Sequence, residues 1–121
     1  MGPRALPAEQ ALKQFELWWA DLPAPIGRRP VLILSRSSAV GYLRKLTVAE
    51  ITTRSRGIPQ ELRLGSAEGL PQPSVANLDS IQSVPKSVLT ARIGALSGAR
   101  QREVKCAVGH AFDWVELKLL S

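Results

Sequence analysis

Histidine and cysteine each occur once in the 121 residues, as His110 and Cys106, and these two scarcities exclude a good deal of chemistry. A lone histidine cannot form a two-histidine acid–base pair within one chain. A lone cysteine permits no intrachain disulfide and no Cys-x-x-Cys pair for zinc. Carboxylates are thinly spread as well: Glu16, Asp21, Glu50, Glu61, Glu68 and Asp79 stand singly. No His-Glu-x-x-His, Asp-x-Asp or Cys/His cluster offers three ligands to a metal, and no phosphate-cradling glycine loop occurs. No apolar run approaches the roughly 18 residues of a membrane span. Met1-Gly2-Pro3-Arg4-Ala5-Leu6-Pro7 lacks the apolar stretch of a secretory leader, so a cytoplasmic address is expected.

What is present describes one domain of ordinary size. A content of 45% hydrophobic and 21% charged residues suits a chain that buries a core. Positive charge is in excess, 16 Lys and Arg against 10 Asp and Glu. Its placement says more than its total. Arg28, Arg29, Arg36, Arg44, Lys45, Arg54 and Arg56 fall in one stretch whose single acid is Glu50. Six of these seven cations are arginine, whose planar fork suits phosphate. A polyanionic partner is one expectation and a plain solvated face the other.

Read along the chain, residues 1–14 form an N-terminal extension, and 15–121 a single domain. Phe15–Asp21, aromatic-rich, predicts a strand, and Leu22–Gly27, with two prolines and a glycine, a loop. Pro30–Ser35 is a continuous apolar run typical of a strand buried on both faces. Leu43–Ile51 alternates as a third strand, Thr52–Gly57 turns, and Ile58–Leu64 is a fourth with Pro59 at its start. Ser74–Asn77 and Ile81–Val84 read as short strands around a polar kink, Lys86–Leu89 as one helical turn, and Arg92–Gly94 as the end of a strand. Ser97 then caps a helix on which Val104, Val108, Ala111, Phe112, Val115 and Leu119 recur at three- and four-residue steps. Gly109 sits mid-helix at a cost of about 1 kcal/mol relative to Ala. His110 reads as a surface or interface residue of that helix, and Cys106 as a small packing residue. Short strands closed by one amphipathic helix predict a mainly β, α+β fold: a small, strongly curved sheet or barrel with a terminal helix.

With histidine, cysteine and metal clusters set aside, arginine and hydroxyl groups must carry any catalysis. Cleavage of RNA meets that condition, because the substrate supplies its own nucleophile, the 2′-hydroxyl. The protein must then hold an in-line geometry, stabilise charge on the phosphoryl oxygens and manage two proton transfers.

Six motifs in order narrow the reading. Trp18-Trp19-Ala20-Asp21-Leu22 is followed by Gly27-Arg28-Arg29-Pro30-Val31-Leu32-Ile33-Leu34-Ser35. Val48-Ala49-Glu50-Ile51-Thr52-Thr53 leads to Gly57-Ile58-Pro59. Asn77-Leu78-Asp79-Ser80-Ile81 and Arg92-Ile93-Gly94-Ala95-Leu96-Ser97 come after. From about Phe15 to Phe112 this order and spacing resembles the MazF/PemK toxins of type II toxin–antitoxin systems. The resemblance implies an SH3-like barrel of the PemK/CcdB type with a C-terminal helix. It also implies a homodimer whose RNA groove crosses the dimer interface, and a cognate antitoxin that occupies the groove. The activity implied is sequence-selective, metal-independent and cofactor-free cleavage of single-stranded RNA, leaving a cyclic phosphate and a 5′-hydroxyl.

The family's catalytic arginine, before the Pro of the second strand, maps to Arg29, and its catalytic hydroxyl, first of a Thr-Thr pair, to Thr52. Arg28, Ser35, Thr53, Arg54, Arg56, Asp79, Ser80 and Gln82 are then the expected RNA-binding residues. Trp18 and Trp19, neighbours on a strand, must face opposite ways, one to the core and one towards the surface. Three departures stand out. Glu50 lies where relatives carry a small residue or Pro, and an anion there either orients Arg29 or weakens RNA binding. Phe15 replaces the Gly that opens the first strand, and the Pro23–Gly27 loop is short. The alternative function is a non-catalytic module of the same fold that binds a protein target such as gyrase. Weight would then shift to Trp114 and the C-terminal extension. A decayed member that only binds an antitoxin is a further possibility.

Overall fold

The computed structural model describes residues 12–120. Six strands form one antiparallel sheet: β1 (Glu16–Leu22), β2 (Gly27–Ile33), β3 (Lys45–Thr52), β4 (Glu61–Leu64), β5 (Ser74–Pro85) and β6 (Leu89–Ala95). Their spatial order is β4-β5-β3-β2-β1-β6. One turn of helix, α1 (Ser37–Val40), joins β2 to β3; α2 (Gln101–Phe112) and α3 (Val115–Lys118) end the chain. The expected curved sheet with a terminal helix is what forms, and it curls into a half-barrel with β4 and β6 at its two edges.

The sheet buries both faces, and alternation assigns the residues. Leu17, Leu32, Ala49, Ile51, Leu62, Ala76 and Leu78 line one face and pack with Leu96, Val104 and Ala107, the last two from α2. Trp18, Ala20, Val31, Ile33, Leu46, Val48 and Val84 line the other, with Leu12, Val40 and Leu89. Val31, Leu32 and Ile33 are all fully buried, as expected of a strand covered on both sides; each such side chain contributes about 1.5–3 kcal/mol. Trp18 is buried while its neighbour Trp19 is half-buried. Leu12 lies in the second core, and Gln14 donates to the Leu34 carbonyl at 2.9 Å. The chain just before β1 is therefore tied into the body. The rest of the expected extension, residues 1–11, lies outside the described residues.

Several boundaries differ from the sequence expectation. The fourth strand begins at Glu61, not Ile58, because Pro59 and Gln60 turn and the Glu61 N–H donates to the Ile58 carbonyl at 3.1 Å. The two short strands around the polar kink are one, β5. Its partners on β3 jump from Ala49↔Ile81 to Glu50↔Asn77, so Leu78–Ser80 bulge out of register. The helix does not continue to Leu120. Asp113, at φ 57°, ends it in the left-handed region, and α3 folds back onto it. Gly109 marks the contact: a Cβ there would stand 2.6 Å from Leu117 Cβ. Val115 and Leu119, expected on the buried stripe, are 61% and 76% exposed instead.

Phe15 explains why its position favours glycine. Its φ is 70°, a region that costs a side chain about 1–2 kcal/mol. Its N–H donates to the Ile33 carbonyl at 2.8 Å, and its carbonyl accepts from the Leu96 N–H at 3.0 Å. Phe15 thus links the end of β2 to the segment leaving β6. The curled edges also approach one another: a Cβ at Gly94 on β6 would run into the Glu68 carbonyl, in the loop after β4.

Candidate active site

Arginine 29 owes its position to strand alternation. On β2, Arg29 shares a face with Val31 and Ile33, while Arg28 points to the opposite side. β2 and β3 pair antiparallel with Val31 opposite Glu50. Carried two residues further, that register sets Arg29 opposite Thr52 on the same face. The second core ends at Val31, and beyond it the face opens into a cleft of about 400 Å³. Arg29, Glu50 and Thr52 line its floor, Asn77 and Ser80 come from β5, and Arg54, Ser55 and Arg56 form its rim.

The polar groups are partly committed and partly free. Arg29 Nη1 donates to Glu50 Oε1 at 3.3 Å, and Gln82 Nε2 donates to the other carboxylate oxygen at 2.5 Å. Among the described residues, the Glu50 contact is the only hydrogen bond that the Arg29 guanidinium makes. Its side chain is 34% exposed, so its remaining N–H donors face the opening. Thr52 Oγ1 accepts the Arg54 N–H at 3.1 Å, which anchors the hydroxyl and leaves its own hydrogen free to donate.

The rim loop is held by a residue that the motifs did not flag. Glu61 accepts from the Arg56 N–H at 3.0 Å, the Gly57 N–H at 3.1 Å and the Ser55 hydroxyl at 3.0 Å. Desolvation pushes the Glu61 carboxyl up, but bonds from Arg56, Ser55, Gly57 and Ile58 outweigh it and hold the group below its ordinary value. These bonds fix where Arg54 and Arg56 stand. A glutamate five residues after Arg56 carries no distinctive sequence signal.

Of the ten residues expected from the resemblance, Arg29, Thr52, Arg54, Arg56 and Ser80 line one cleft, and Gln82 braces it through Glu50. Four lie elsewhere. Arg28 stacks its guanidinium over the Trp19 ring, 4.5 Å from the centroid. Ser35 accepts the Thr47 N–H at 2.8 Å between β2 and β3. Asp79 is exposed on the β5 bulge, its N–H bonded to Asn77 Oδ1 at 2.9 Å. Thr53 lines a neighbouring hollow of about 290 Å³ with Arg63, Ser74 and Val75, and Ser55 borders both spaces. Among the described residues no group of three His, Cys, Asp or Glu side chains is placed to hold a metal, and no helix is long and apolar enough to cross a membrane.

A curled six-stranded sheet with a helix on one face, and an Arg–Thr pair at the open end of the other, is the arrangement expected of small ribonuclease toxins. Residues 13–112 match the family described as PemK-like, MazF-like toxin of type II toxin–antitoxin system, and the chain belongs to that family. It is 42% identical over 99 residues to a Mycobacterium tuberculosis protein named "Probable endoribonuclease MazF5", covering 81% of this chain and 90% of that one. To "Endoribonuclease MazF3" of the same species it is 42% identical over 89 residues, covering 72% and 86%. Among solved structures, the Mycobacterium tuberculosis toxin MazF-mt6 superposes with a TM-score of 0.76 at 38% identity, covering 81% of this chain and 96% of that one.

Proposed function

We propose that this toxin is a metal-independent endoribonuclease that cuts single-stranded RNA with Arg29 and Thr52 at the reacting phosphate. The observation that carries the reading is the unspent hydrogen-bonding capacity at the cleft floor: Arg29 has donors without partners among the described residues, and Thr52 has an anchored hydroxyl with a free hydrogen. The 2′-hydroxyl of the RNA attacks the adjacent phosphorus, giving a cyclic phosphate and releasing a 5′-hydroxyl. Negative charge builds on the phosphoryl oxygens as the 2′-oxygen adds. A guanidinium fork aimed at those oxygens stabilises them more than the ground state, and so lowers the barrier. Thr52 adds a neutral hydrogen bond to the same oxygens.

A guanidinium offers donors and no acceptor, so the role of Arg29 is charge stabilisation. Arg54 and Arg56, exposed on the rim, hold the flanking phosphates, and the hollow beside Thr53 and Ser55 has room for a base. As a toxin of a toxin–antitoxin system, the protein is held in check by an antitoxin that covers this cleft. It acts as a homodimer, read out as a light-scattering mass twice that of one chain. The test is cleavage of a defined single-stranded RNA in EDTA by the wild type, Arg29→Ala and Thr52→Ala, with end-group analysis of the products. Full activity in either variant removes the assignment; inhibition of DNA supercoiling without RNA cleavage would replace the function with a gyrase-binding one.

A further inference from the structure

Cleavage through the 2′-hydroxyl needs a group that takes the hydroxyl's proton as the oxygen bonds to phosphorus. The cleft offers few acceptors. A guanidinium offers donors and no acceptor, and the hydroxyls of Thr52 and Ser80 and the amide of Asn77 are not bases in water. The Glu61 carboxylate does not line this cleft; it holds the loop behind the rim and borders another groove. His110 and Cys106 line a separate groove between β4 and α2. Glu50 is the carboxylate that lines this cleft, Asp79 being exposed on the bulge outside it, and its geometry suits the task. Oε1 accepts one bond from Arg29 and Oε2 one from Gln82, which leaves a second lone pair on each oxygen. The side chain is 20% exposed, opening onto the cleft that Arg29 and Thr52 share.

We propose that Glu50 is the general base of the cleavage step, an inference that rests on the endoribonuclease reading above. The 2′-O–H proton passes to a Glu50 carboxylate oxygen as the 2′-oxygen forms its bond to phosphorus and the bond from phosphorus to the 5′-oxygen breaks. The departing 5′-oxygen takes a proton from solvent water. The hydroxide so formed is neutralised by the proton on Glu50, so no net proton is gained or lost. The pairing with Arg29 adds a second effect. Protonation of Glu50 removes the anion beside the guanidinium while the phosphoryl oxygens gain charge, so the field of Arg29 is redirected to them. The groups facing Glu50 are Arg29 from β2, Thr52 on β3 and Asn77 and Gln82 from β5, with Arg54 and Arg56 on the rim.

The discriminating variant is Glu50→Gln, which keeps an oxygen to accept from Arg29 but cannot take a proton. Steady-state cleavage is measured across pH, together with binding of a DNA oligonucleotide of the same sequence, which lacks the 2′-hydroxyl. The wild-type rate rises with pH on its acidic limb, because the base must be unprotonated. In Glu50→Gln, kcat falls by about 10²–10⁴-fold, the usual worth of a general base, and that limb flattens while DNA binding and melting temperature are kept. Glu50→Asp, which retains a carboxylate, recovers part of the rate. A Glu50→Gln enzyme with the wild-type rate and pH profile overturns the proposal, as does one that loses DNA binding along with rate, since Glu50 would then act by orienting Arg29. A wild type that leaves RNA uncut instead overturns the endoribonuclease reading beneath it.

Discussion

Two arginines, one paired with a single carboxylate and one with two, stand in opposite situations in this molecule. Arg100, where α2 begins, has four of its five N–H donors bonded. Its Nη1 donates to Glu68 at 3.0 Å, its Nη2 to the Arg63 carbonyl at 2.7 Å and to Glu103 at 2.9 Å, and its Nε to Glu103 at 3.1 Å. The hydrogen bond from Arg100 holds the Glu103 carboxyl below its ordinary value. The Arg29 guanidinium, at the open end of β2, makes one hydrogen bond among the described residues, to Glu50, and stands beside Arg54 and Arg56 across an open cleft. Their exposures are close, 25% and 34%. The difference lies in how many donors the fold has already used. A guanidinium with most of its donors bonded welds elements together, here β4, the Glu68 loop and α2. An unsaturated one is left for an anion.

Mutations should break this comparison in different assays. Arg29→Ala is expected to cost about 10²–10³-fold in RNA cleavage, the worth of one charge-stabilising donor, with little change in urea denaturation. Arg100→Ala should leave cleavage by the folded protein intact. It should cost about 2–3 kcal/mol in urea unfolding, because Glu68, 6% exposed, loses its cation. Smaller still is Gly109→Ala. In a free helix this change would stabilise by about 1 kcal/mol. Here the new Cβ meets Leu117 and the Lys118 N–H at 2.6 and 2.7 Å, so a loss of about 1–2 kcal/mol in thermal unfolding is expected.

The smallest effect concerns the rim of the cleft. The folded-state pKa of Glu61 is depressed, so its stabilisation of the rim loop is present above the unfolded value near 4.5 and lost as pH falls through the lowered one. In an NMR titration, the Arg56 and Gly57 amides should keep their shifts down to about pH 4.5 and move below it. Amides that move near neutral pH would disconnect the loop from Glu61.

Much of this architecture is legible in the residues because it depends on local pattern. The apolar run Val31–Ile33 announces a doubly covered strand, and the adjacent Trp18 and Trp19 must divide between core and surface. Local pattern also explains the main misreading. Val115 and Leu119 continue the helical spacing of Val104 and Val108, yet the spacing carries no notice that Asp113 turns left-handed and sends Leu117 back onto Gly109. The glycine that reads as a cost to one helix is the seat of another. At the cleft, the pairing of Arg29 with Thr52 follows from motif order and strand register. The Gln82 bond to Glu50 and the loop clamp at Glu61 do not, because they depend on which residues of β5 lie across from β3 and on the turn after β3.

The most direct measurement places Arg29→Ala and Arg100→Ala side by side, cutting a defined single-stranded RNA in EDTA, with rates normalised to the folded fraction. Cleavage is predicted to collapse in Arg29→Ala and to persist in Arg100→Ala. An Arg29→Ala protein that cuts at the wild-type rate would contradict the account.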